Sequence, residues 1–162
     1  QNWGYCGTDN YYKSADMLIK KLVECVSKGG NFLLNIGPDA NGVIPPRAAE
    51  TLEEIGRFMR VNGQSIYGCT QSVVPKPEWG RITQKGNELY LHVYENTLGP
   101  LPLFGINAQD IDSIRQLSDG REIPLSHSWV HSDYPDMAFA DLGPDPTLVD
   151  GTDTVLKLTL KE

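Results

Sequence analysis

The sequence predicts two regimes in one chain: a helix-strand-helix piece from the end of a larger α/β domain, followed by an all-β antiparallel β-sandwich. Three observations carry that expectation. A short run at residues 32–36, Phe-Leu-Leu-Asn-Ile, has no polar face and stops at Gly37-Pro38. Helical spacing of apolar residues flanks it on both sides. After about residue 70 the period switches from helical to two.

The first helix is expected over residues 14–28. Leu18, Leu22 and Cys25 fall on one stripe, with Ile19, Val23 and Val26 beside it. Ser14 suits the N-cap, Asp16 the positive end of the dipole, and Lys28-Gly29-Gly30 the stop. A strand over residues 31–36 follows. Strands apolar on both faces belong to parallel sheets covered by helices, or to the wall of an α/β barrel. Pro46 then suits a first helical position, and Leu52, Ile55 and Met59 repeat on one face as far as Val61, where Asn62-Gly63 ends the helix. One strand and two helices do not close a barrel, which takes eight strand–helix units. Residues 1–70 are therefore expected to be the C-terminal segment of a larger α/β domain whose earlier units are not in this sequence.

Residues 71–162 are expected to form the sandwich, entered through Val73-Val74-Pro75-Lys76-Pro77. Strand candidates lie at 81–84, 88–94, 101–104, 111–117, 122–125, 137–142 and 154–160, at the spacing of an antiparallel sandwich. Residues 89–94 and 155–160 alternate with period two. Lys85-Gly86-Asn87 and Asp119-Gly120 read as hairpin loops.

Composition narrows the function classes. With 40% hydrophobic and 22% charged residues in 162, the chain is globular in type. No apolar run approaches the roughly 20 residues of a membrane span, and the N-terminus has neither the basic nor the apolar region of a signal peptide. The net charge of −7 is carried by residues 71–162, where seven basic side chains face fourteen acidic ones. Such a surface repels phosphate backbones, so nucleic acid is not an expected partner. Cys6, Cys25 and Cys69 are an odd count without CxxC spacing, which argues against a disulfide framework and a zinc cluster. Cys25 reads as a small buried apolar residue.

Candidate chemistry is sparse. Asp39 follows the apolar strand, where α/β domains place catalytic groups, but Asp39-Ala40-Asn41-Gly42 reads as a turn. His92, His127 and His131 lack metal-ligand geometry and read as surface residues, with His92 turned to solvent on its strand. Trp3-Gly4-Tyr5 offers either packing residues or aromatic faces for the C–H side of a sugar ring.

A family resemblance separates these readings. "WGY" at 3–5, "LIKKLVECVSKGGNFLLNIGPDANGVIP" at 18–45, "IGRFMRVNGQSIYGC" at 55–69 and the closing "DTVLKLTLKE" at 153–162 resemble the C-terminal part of α-L-fucosidases of glycoside hydrolase family 29. The resemblance implies that residues 14–61 are the last helix-strand-helix of a (β/α)8-like barrel, with residues 32–36 as its last strand, and that a β-sandwich follows. It implies a retaining exo-hydrolase of terminal α-L-fucose, acting on a fucosylated glycan through an Asp nucleophile and a separate acid/base. Both of those groups, and the family's sugar-binding histidines, fall upstream of the "WGY" motif, so no catalytic residue is assigned here. Trp3 and Tyr5 are the substrate-binding residues it implies, supported by backbone near residues 35–38. Two-carboxylate chemistry needs no metal or organic cofactor. The other readings are a carbohydrate-binding module that stacks sugars on Trp79, Trp129 and Tyr134, and a structural sandwich that braces the barrel.

Overall fold

The computed structural model describes residues 3–95, 97, 99–127, 133–134, 136–143 and 151–161. Helix α1 spans Ala15–Val26 and opens as the sequence predicts, with Ser14 Oγ accepting the Met17 N–H at 3.2 Å. It closes in a Schellman motif: Gly30 N–H donates to Cys25 O at 2.9 Å and Gly29 N–H to Val26 O at 2.8 Å. That ending puts Gly29 at φ 73°, in the left-handed region that a Cβ disfavours. Helix α2, Pro46–Asn62, has its proline in the first turn and runs into a 3-10 turn at Gly63–Ser65.

Among the described residues seven strands follow: β1 Thr70–Gln71, β2 Gly80–Lys85, β3 Glu88–Val93, β4 Leu101–Phe104, β5 Ile111–Gln116, β6 Met137–Ala140 and β7 Thr154–Leu160. They form a five-stranded sheet in the order β1-β2-β3-β7-β5 and a two-stranded sheet of β4 and β6, with every pairing antiparallel. The β2–β3 hairpin pairs Lys85 with Glu88 across Gly86-Asn87, as its loop residues predict. Strand β1 was not expected; two residues are too few for a periodic signal. The candidate at 122–125 makes only isolated bridges, Glu122 to Arg115 and Leu125 to Ala140, so it joins both sheets without extending either.

Alternation along β3 and β7 sorts their side chains into two cores. Leu89, Leu91 and Val93 from β3, with Leu156 and Leu158 from β7, pack with Trp79, Leu101, Leu103, Ala138 and Ala140 between the sheets. Each of the leucines and Val93 contributes about 1.5–3 kcal/mol over an exposed position. Tyr90 and Val155 point the other way and pack on Ile19, Val23 and Val26 of α1 and Phe58 of α2. The layers are therefore helices, large sheet and small sheet. Glu24 of α1 adds a polar clamp: it pairs with Lys21 at 3.1 Å and Lys28 at 2.9 Å, and lies 3.6 Å from Arg81 of β2.

This layering corrects three expectations. His92 is fully buried, because its face of the sheet is covered; Nδ1 lies 2.7 Å from Asp153 Oδ2 and Nε2 lies 3.3 Å from Thr83 Oγ1. The Thr83 hydroxyl donates onward to Ser65 O at 2.6 Å, tying the sheet to the turn after α2. Cys25 is partly exposed, with Sγ 3.3 Å from Asn31 O, since it rides the helix end outside the Ile19–Val23–Val26 stripe. Residues 31–36 form no ladder among the described residues; Phe32, Leu34 and Ile36 are half-buried while Leu33 is 93% exposed. A strand is a relation between backbones, and the segment meets no neighbouring strand among the described residues to pair with.

Two consequences are measurable. His92→Ala leaves the Asp153 carboxylate buried without its imidazole and should lower unfolding free energy by about 3 kcal/mol in denaturant titration. The Glu24 carboxyl is held down to about 2, from 4.5, first by hydrogen bonds from Lys28 and Lys21. A lowered carboxyl contributes stability that is present above 4.5 and lost as pH falls toward 2. Glu24→Gln should therefore flatten the decline in stability across that acid window, and added salt should shrink the difference.

Candidate substrate-binding site

Two segments quoted for the resemblance, at residues 3–5 and 35–38, meet in space. Asn35 Nδ2 donates to Trp3 O at 2.6 Å. Residues 4–5 cross Gly37 so closely that a Cβ there would lie 2.6 Å from Tyr5 N and 2.7 Å from Gly4 C. Only glycine admits that approach. The crossing fixes the backbone of the aromatic segment and leaves its side chains outward: Trp3 is 91% and Tyr5 55% exposed. Both lie outside the two cores formed by the described residues.

Two clefts flank the crossing. One, of ≈ 190 Å³, is lined by Tyr5, Tyr11, Tyr12, Asp9, Asn35 and Gly37 with apolar side chains from α1 and α2. The other, of ≈ 650 Å³, is bordered by Trp3, Phe32, Leu33, Met17 and Lys28. Lys13, Leu18, Leu34 and Asn35 border both. Tyr5 borders the first cleft and Trp3 the second.

The connection between residues 5 and 13 is shaped by its own polar groups. Asp9 N–H donates to Cys6 O at 3.0 Å, and Asp9 Oδ1 accepts the Tyr11 N–H at 3.0 Å. A hydrogen bond with Thr8, Sγ to Oγ1 at 3.4 Å, draws the Cys6 thiol below its ordinary value. The Arg47 guanidinium lies over the Tyr12 ring, 5.4 Å from its centre. Tyr11 and Tyr12 were not singled out in the sequence, although an adjacent pair of tyrosines in the connection that carries "WGY" is a visible signal.

Other candidates separate cleanly. Asp39 is a turn residue: its Oδ1 accepts the N–H groups of Asn41 at 2.8 Å and Val43 at 2.9 Å. Among the described residues no three His, Cys, Asp or Glu side chains converge as a metal site. His127 is exposed, and His131 lies outside the described residues. Trp79 is buried with Nε1 donating to Pro102 O at 2.9 Å, so it is unavailable for stacking on a sugar. Tyr134 is half-exposed, and Trp129 lies outside the described residues. No helix among the described residues is long and apolar enough to cross a membrane.

Comparison with known proteins converges on one family. Residues 1–64 match the family model for alpha-L-fucosidase. The chain is 46% identical to alpha-L-fucosidase isoenzyme 1 from Paenibacillus thiaminolyticus, with a TM-score of 0.92 over 99% of this chain and 38% of that one. It superposes with a TM-score of 0.82, at 25% identity, on a GH29 alpha-L-fucosidase from Bacteroides thetaiotaomicron, covering 98% of this chain and 35% of that one. An alpha-L-fucosidase of Dictyostelium discoideum is 35% identical over 108 residues, 57% of this chain and 23% of that protein. The chain thus spans well under half the length of these relatives.

Filling Gly37 tests the crossing. Gly37→Ala should push residues 3–5 off Asn35, alter Trp3 fluorescence and cost about 1–3 kcal/mol in stability, the usual penalty of overpacking.

Proposed function

We infer that this chain, similar in sequence and fold to the C-terminal part of GH29 α-L-fucosidases, is the C-terminal portion of a retaining exo-α-L-fucosidase. In this reading residues 1–70 end the catalytic barrel and residues 71–162 are the C-terminal sandwich. The nucleophile and the acid/base belong to an N-terminal barrel segment that precedes Trp3, and that segment is the chain's principal partner. The observation that carries the reading is the crossing of residues 3–5 over Gly37, which joins the two family motifs and turns Trp3 and Tyr5 outward. Aromatic faces so presented suit the apolar side and the methyl group of fucose.

Chemically, one carboxylate attacks the anomeric carbon, displacing the glycosidic oxygen as the other carboxyl protonates it. The second group then takes a proton from a water whose oxygen attacks the same carbon, breaking its bond to the first carboxylate and releasing fucose with its configuration retained. Residues on this chain bind and orient, while the sandwich braces: Tyr90 and Val155 support α1, the helix that follows the aromatic segment.

The test is hydrolysis of an aryl α-L-fucoside by the full-length protein, followed by NMR of the first-formed anomer. Release of α-L-fucose is expected, whereas residues 1–162 alone should release none. Release of the β-anomer, or turnover by the isolated chain, would overturn the assignment of mechanism or of the catalytic groups.

A further inference from the structure

Three of the seven tyrosines of the chain, Tyr5, Tyr11 and Tyr12, border one cleft. Their exposure differs in a telling way. Tyr11 is 90% exposed, although its backbone is pinned by the Asp9 carboxylate, and Tyr12 is held beneath the Arg47 guanidinium. Within residues 1–162 the Tyr11 ring packs in neither core. A ring so presented beside a cleft suits a ligand, because a broad rigid face binds at low entropic cost.

We propose that Tyr11 and Tyr12 form a stacking platform for the sugar unit attached to the departing oxygen, so that this cleft reads the aglycone. The proposal rests on the reading of Trp3 and Tyr5 as the fucose wall, and extends it to the adjoining residue of the glycan. Tyr5 borders the same cleft, so a pyranose there adjoins the fucose wall, as the two sugars of a disaccharide adjoin each other. Asn35 and Lys13, which border both clefts, supply hydrogen-bond donors for its hydroxyl groups. A ligand with alternating C–H faces and hydroxyl rims fits that mixture of rings and donors; a purely apolar aglycone would leave the donors unmatched.

The experiment compares two substrates in the full-length enzyme: a fucosyl disaccharide, and α-L-fucosyl fluoride, whose leaving group has no ring. The readout is the ratio of kcat/KM for the disaccharide to that for the fluoride. Tyr11→Ala should lower this ratio about tenfold, the low end for losing one apolar contact in a substrate pocket. The loss should fall in KM for the disaccharide, and Tyr11→Phe should restore the ratio, since stacking needs the ring and not the hydroxyl. A ratio within twofold of the parent's, or an equal fall for both substrates with a lowered Tm, would overturn the proposal and make Tyr11 a packing residue. Failure of the parent enzyme to release fucose from either substrate would instead sink the fucosidase reading beneath it.

Discussion

The organising constraint is that the central strands of the five-stranded sheet, β3 and β7, pack on a core at each face. β3 and β7 pair over their full length, and their alternating side chains feed two separate cores. Leu89, Leu91, Leu156 and Leu158 serve the small sheet, while Tyr90 and Val155 serve the helices. Without the second core, α1 and α2 would have little to stand on, since α2 buries only Phe58 and Asn62 fully. Polar groups caught in the same layer had to be satisfied, and the Thr83–His92–Asp153 chain does this at the cost of fixing where three segments sit.

Much of this was legible in the sequence because local rules decided it. Ser14 announces the start of α1 and Gly29-Gly30 its stop; Gly86-Asn87 sets a register; the apolar alternation of residues 89–94 and 155–160 gives two central strands. What the sequence withheld is what covers a face. His92 alternates with apolar residues, which ordinarily means a wet side, and only the placement of the 3-10 turn and α1 over that side makes it interior. Period-two reasoning identifies faces; it does not say whether a helix lies on one of them.

At the candidate site the split is similar. The aromatic pair at 3–5 and the glycine at 37 are both visible as residues, but their contact joins segments about thirty positions apart and no periodicity reports it. Residues 31–36 show the reverse case. Their composition announces a doubly covered strand, yet the covering is a property of neighbours, and within this chain Leu33 meets none.

The sheet order carries a consequence for how the protein is made. β7, the last strand in sequence, lies in the interior of the sheet between β3 and β5. During vectorial synthesis the sheet is therefore held open as two unjoined pieces until residues 154–160 leave the ribosome. Val155 is also the footing for α1, so the helix beside the aromatic segment waits on the same late insertion. A premature stop before residue 154 would not merely shorten the sandwich. It would part β3 from β5 and unseat the helix that follows the aromatic segment.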